Sequence, residues 1–90
     1  MESILEKIIT NLKDIVKIKL YNNTTDKKYI TWRIVRENIY MYDCGENYAT
    51  VFRINTYTEL IEKIQENLTN NTLEVVIKYF DDRKDCFKLK

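Results

Sequence analysis

Ninety residues with a formal net charge of +1 make one domain around one core, because a chain this short cannot bury two. A balance so close to neutral counts against a non-specific nucleic-acid binder, which is basic overall, and against a mimic of DNA, which is strongly acidic. With no histidine, one glycine and two cysteines, the chain cannot build a Ser-His or Cys-His nucleophile pair, a Cys/His zinc site, or a glycine-rich phosphate loop.

The first element is an amphipathic helix. Ser3 with Glu6 supplies a capping box, and Ile4, Leu5, Ile8, Ile9 and Leu12, then Ile15 and Val16, recur at the spacing of one helical face. The period then drops to two. Val16, Ile18 and Leu20 alternate with Lys17, Lys19 and Tyr21, which predicts a strand. After the polar loop NNTTDKK, residues 29–36 and 39–43 predict a β-hairpin turning at Glu37-Asn38. Gly45 in DCGENY suits the first central position of a type II′ turn, and residues 48–55 form the next strand.

Those two turns agree with each other. The first sets Ile34 opposite Met41 and Arg33 opposite Tyr42; the second sets Ile39 opposite Phe52 and Tyr40 opposite Val51. Both keep Ile30, Trp32, Ile34, Ile39, Met41, Phe52 and Ile54 on one face, whereas a slip of one residue would reverse a strand.

Thr56 with Glu59 caps a second helix whose buried stripe is Leu60, Ile61, Ile64 and Leu68, ended by Asn70-Asn71. LEVVIKYF is a further strand, and DDRKD turns it into a short last one, CFKLK. The expected fold is α+β: a single antiparallel sheet of four to six strands, in the order α-β-β-β-β-α-β-β, with two helices packed on one face.

Two helices cover one face only, which leaves the alternate residues of each strand to explain. On this register the other face carries Lys17, Lys19, Tyr21, Thr31, Arg33, Val35, Tyr40, Tyr42, Val51 and Arg53, joined by Glu74, Val76 and Lys78. Tyrosine and threonine are good strand residues, and lysine and arginine keep an exposed face soluble. Several tyrosines set beside arginines also match the composition of protein interfaces and their hot spots. The candidate binding residues are therefore Arg33, Tyr40, Tyr42, Arg53, Tyr21 and Lys19. Single-stranded nucleic acid, stacked on rings and tracked by cations, is the alternative occupant; a homodimer that stacks faces or pairs edges is another.

Elsewhere the chemistry is sparse. Asp81, Asp82 and Asp85 fit a solvated hairpin loop and lack the spacing and glycine of a calcium site. Cys44 is either a reactive thiol or a small semi-apolar residue, and nothing nearby in sequence lowers its pKa. A Cys44–Cys86 disulfide does not suit a reducing compartment. No apolar run approaches a membrane span and MESILEK is too charged for a signal peptide, so the expected location is the cytoplasm. No catalytic residue, cofactor or metal is expected.

A helix, VKIKL, a polar loop, the hairpin YITWRIVRENIYMYD and the capped helix TYTELIEKIQENL follow one another over residues 1–68. This order resembles that of the small phage-encoded anti-CRISPR proteins that inhibit Cas9. The resemblance implies an accessory protein of a virus or mobile element that binds and inhibits a host protein complex, such as a CRISPR effector. The better-known Cas9 inhibitors are acidic, and this chain is neutral with an added C-terminal segment, so no family residue transfers to it.

Overall fold

Period-two alternation of apolar and polar residues favours strands with one buried face, and the chain uses it six times. The computed structural model describes residues 4–21, 29–44, 49–68 and 72–89. Helix α1 spans Ile4–Thr10, and a single 3-10 turn, Leu12–Asp14, leads into β1, Ile15–Tyr21. Strands β2 (Tyr29–Val35), β3 (Asn38–Cys44) and β4 (Ala49–Ile54) follow, then α2 (Tyr57–Asn67), β5 (Glu74–Tyr79) and β6 (Lys84–Lys88). All six strands form one antiparallel sheet in the order β4-β3-β2-β1-β5-β6, so β4 and β6 are its edges. The fold is α+β with two helices, as its alternation and caps predict.

The core lies between the helices and one face of the sheet. Its central row runs Met41, Trp32, Ile18 and Ile77 across β3, β2, β1 and β5. Trp32, Ile18 and Ile77 are completely buried, under Ile8 of α1 and Leu60 and Ile64 of α2. Burial of each such side chain stabilises the fold by about 1.5–3 kcal/mol. Helix α2 starts where its cap predicts: the Thr56 hydroxyl accepts from the Glu59 N–H at 3.1 Å. The Glu59 carboxylate reaches back to the Asn55 N–H at 3.3 Å, one residue before the cap.

Several expectations need correcting. The hairpin turns at Arg36-Glu37, not Glu37-Asn38: Val35 pairs with Asn38, and Arg36 takes the left-handed backbone at φ 57°. Asn38 is thereby a strand residue, and its side-chain oxygen accepts from Arg53 at 3.1 Å. Ile34 therefore faces Ile39 rather than Met41, and Ile39 faces Ile54 rather than Phe52. Each register differs from expectation by two residues, and an even slip leaves every side chain on its expected face. Phe52 is on the helix side but half exposed, because it sits on the edge strand; Ile9 is also half exposed and leaves the buried stripe of α1. Ile15 and Val16 belong to β1 rather than to the first helix, with a bulge against β5 that turns Ile15 into the core beside Tyr79. The expected Ser3 cap, NNTTDKK loop, Gly45-Glu46 turn and Asn70-Asn71 helix end lie outside the described residues.

Tyr79 is buried in the core although it carries a hydroxyl, and its partner explains why. The hydroxyl donates to Asp85 at 2.7 Å, and Lys7 of α1 lies 3.3 Å from the same carboxylate oxygen. This cluster ties the first helix to the last strand. Burial, then the bond to Asp85, pushes the Tyr79 hydroxyl up to about 12. The bond from Tyr79, helped by Lys7, holds the Asp85 carboxyl below its ordinary value.

Two predictions follow from the core. Trp32→Ala removes its largest side chain and should lower stability by about 3–5 kcal/mol, a large part of the ~5–15 kcal/mol of a small domain. Trp32→Phe should lose less than half as much, because the indole N–H has no hydrogen-bond partner among the described residues and its removal orphans nothing. A urea midpoint for Trp32→Ala equal to that of the unaltered protein would refute this account of the core. The Tyr79–Asp85 pair makes a pH prediction. Tyr79 holds its proton more tightly when folded, so its contribution is full below about 10 and is lost as pH rises through about 12. Asp85 is the opposite case, its contribution being lost as pH falls below the ordinary 3.8 through the depressed folded value. Tyr79→Phe should flatten the alkaline fall in melting temperature; an unchanged fall would assign it to another group.

Candidate functional site

The ladder fixes the face turned away from the helices as three rows, each crossing all six strands. The first row is Arg53, Tyr40, Arg33, Lys17, Lys78 and Lys84, in order from β4 to β6. One tyrosine and five cations thus stand side by side, at strand spacings of about 4.8 Å. The second row is Val51, Tyr42, Thr31, Lys19, Val76 and Cys86, and the third is Ala49, Cys44, Tyr29, Tyr21, Glu74 and Lys88.

All six expected binding residues lie on this face. Tyr40 stands between Arg33 and Arg53, where the sequence suggested Tyr42 beside Arg33 and Val51 beside Tyr40. Tyr42 instead stands between Thr31 and Val51. Arg33, Arg53 and Val51 are exposed, and Tyr40 and Tyr42 are half-buried. Lys19 and Tyr21 form a separate group with Tyr29: the Lys19 ammonium sits 4.1 Å from the Tyr29 ring centre and 5.2 Å from that of Tyr21. The two rings are 6.0 Å apart and tilted. Beneath them Thr31 is buried, and its hydroxyl has no hydrogen-bond partner among the described residues.

Electrostatics follow from the row. Partial burial, then Lys19, Arg33 and Lys78, lower the pKa of the Lys17 ammonium. Like charges directly opposite one another across a ladder are destabilising. Among the described residues Lys17, Arg33, Lys78 and Lys84 make no ion pair, in contrast to Lys7, Lys63 and Arg83. The Tyr29 hydroxyl is shifted the other way, upward, chiefly by the hydrogen bond and charge of Cys44.

Sequence reasoning missed Tyr29, left out of the far face, and Lys84, because DDRKD reads as a turn and the last strand then begins at Cys86. The alternation of Lys84, Cys86 and Lys88 was the available signal. The three aspartates of that region divide: Asp81 pairs with Arg83 at 2.7 Å, Asp85 joins Lys7 and Tyr79, and Asp82 occupies a left-handed position at φ 68°. Cys44 and Cys86 are both free thiols. Among the described residues no group of three or more His, Cys, Asp or Glu side chains could hold a metal ion, and no helix is long and apolar enough to cross a membrane. No family model, no curated protein and no solved structure matches the chain.

The row of like charges is testable without any ligand. Lys84→Glu puts an opposite charge beside Lys78 and should stabilise the fold by ~0.2–1 kcal/mol, a rise in melting temperature of roughly 1–8 °C. That gain should shrink as salt is added, since screening already weakens the repulsion it removes. Thermal melts in low and high salt measure both effects. A variant less stable than the original at low salt would contradict the repulsion.

Proposed function

We propose that this chain is a non-enzymatic binding module that docks a host protein or protein complex on the far face of its sheet. The observation that supports it most is Tyr40 set between Arg33 and Arg53 on neighbouring strands, with Tyr42 and the exposed Val51 beside them. Rigid rings flanked by guanidinium groups on paired strands have the composition of an interface hot spot, where a few Tyr and Arg side chains dominate affinity. Strand backbones hold these groups in place before binding, so little ordering entropy is lost on association. The cations select a partner that presents acidic groups. Element order over residues 1–68, which resembles that of the small anti-CRISPR proteins, supports a viral or mobile-element source and an inhibitory role against a complex such as a CRISPR effector.

Single-stranded nucleic acid is the second reading, and one observation favours it: the cations form a line rather than a cluster. On that reading affinity for a fluorescent oligonucleotide falls steeply with salt, with a logarithmic slope of about −0.7 for each phosphate neutralised. A homodimer remains a distinct outcome, visible as concentration-dependent sedimentation.

The experiment is affinity capture of the partner from host cells, followed by titration with single and combined alanine variants of Arg33, Tyr40, Tyr42 and Arg53. Loss of a true anchor should cost at least about 2 kcal/mol, or roughly thirty-fold in Kd. Partner binding that survives all four replacements in a folded variant would remove this surface from the function.

A further inference from the structure

The other half of the far face lies over β1, β5 and β6, away from Tyr40 and Tyr42. It holds a hollow of about 600 Å³, within the roughly 300–1,000 Å³ of small-ligand sites. One end is walled by Lys17, Lys78 and Lys84, which are consecutive in the first row. Val76 and Cys86 line the middle, and Tyr21 and Glu74 stand at the opposite end, paired with each other in register. Lys19 also lines the hollow but is engaged over the tyrosine rings. Asp82, in the turn between β5 and β6, adds a carboxylate at the lysine end, where the three lysines outnumber it.

We infer that this hollow is a binding site for a nucleoside polyphosphate, with its phosphates on the lysine row and its base toward Tyr21 and Glu74. Three adjacent ammonium groups without ion pairs among the described residues call for several negative charges packed within a few bond lengths. A chain of phosphoryl groups has that density, whereas a peptide presents one carboxylate per residue. Lysine acts on phosphate as a point charge that needs no fixed approach angle, which suits an open wall. The side chain of Val76 gives a flat body something to lie on, joined by the Tyr21 ring once the base displaces the Lys19 ammonium 5.2 Å from its centre. The Glu74 carboxylate can accept from an amino group or a ribose hydroxyl. After partial burial, the like charges of Lys19, Arg33 and Lys78 lower the Lys17 pKa, and an anionic ligand would offset that repulsion. This inference goes beyond the docking proposal and uses none of Arg33, Tyr40, Tyr42 and Arg53.

The test is titration calorimetry of the whole chain at low salt with ATP, inorganic tripolyphosphate, adenosine and a short oligothymidylate, alongside amide chemical-shift mapping. ATP should bind and shift β1, β5 and β6; tripolyphosphate should bind several-fold more weakly, and adenosine not measurably. Lys78→Ala/Lys84→Ala should weaken ATP at least ten-fold, Lys78→Arg/Lys84→Arg should retain it, and Tyr21→Leu should bring ATP down to the level of tripolyphosphate. Tyr40→Ala/Arg53→Ala should leave ATP binding unchanged while weakening partner capture, so the two proposals fail separately. The inference is overturned if ATP gives neither heat nor shifts at millimolar concentration, or binds the folded double alanine variant as well as the original. Equal binding of tripolyphosphate and ATP would overturn the nucleoside assignment. An oligothymidylate that displaces ATP at far lower concentration would overturn the free nucleotide in favour of a nucleic-acid strand.

Discussion

A strand sends successive side chains to opposite faces, and everything distinctive about this molecule depends on six strands obeying that rule in one common register. Trp32, Ile18 and Ile77 stand opposite one another on the helix side. Their sequence neighbours Thr31, Arg33, Lys17, Lys19, Val76 and Lys78 are then committed to the other side. A slip of one residue at β2 would place Arg33 and Thr31 beneath the helices and Trp32 in water. Burying an unpaired charge and losing the largest core side chain would each cost several kcal/mol. No rearrangement of the surface is strong enough to oppose that, so the core dictates what the far face displays.

The reverse influence is weak, and that asymmetry is informative. Two exposed like charges about 4 Å apart in water repel by only about 1 kcal/mol, less than the burial of one core side chain. The fold can therefore carry Arg33, Lys17, Lys78 and Lys84 in one row, but it gains nothing from doing so. Alternating signs across the ladder would be more stable, and the chain has the carboxylates to supply them: Glu74 sits on the same face, two rows away from the lysines. A local arrangement that works against stability, in a chain whose other choices agree with the fold, is where binding is to be sought.

How much of this was legible in the sequence depends on which quantity was being read. Face assignment was legible, because both hairpin registers differ from expectation by two residues and parity survives an even slip. Opposition across the ladder was not, and so the neighbours of Tyr40 and Tyr42 were exchanged. Loop chemistry points to asparagine at position 38 for the turn, while the chain puts Arg36 in the left-handed conformation and uses Asn38 to hold Arg53. Tyr79 carried no sign of its burial, since that rests on Asp85 and Lys7 from two other elements. The cation row was hidden for a similar reason: its members come from five strands, and only the sheet order β4-β3-β2-β1-β5-β6 brings them into line.

The tyrosines decide between a protein and a nucleic-acid strand on the β2–β4 half. A stacking platform for bases needs free ring faces, and the far face offers four half-buried tyrosines: Tyr21, Tyr29, Tyr40 and Tyr42. Two are already used within the molecule. The Lys19 ammonium lies over both Tyr29 and Tyr21, an attraction worth ~0.5–1 kcal/mol at an exposed site, and an incoming base would have to displace it for the ~1–3 kcal/mol of a stack. The net gain there is small. Tyr40 and Tyr42 stand on one strand in adjacent rows, about 7 Å apart, each bordered by side chains of β2 and β4 that are long or branched. Rings separated in this way do not form a continuous ladder for successive bases, but they do make two anchors within a rim of arginine and valine. Geometry therefore weights this half toward a shaped protein surface and leaves the phosphate chemistry to the lysine hollow beyond β1.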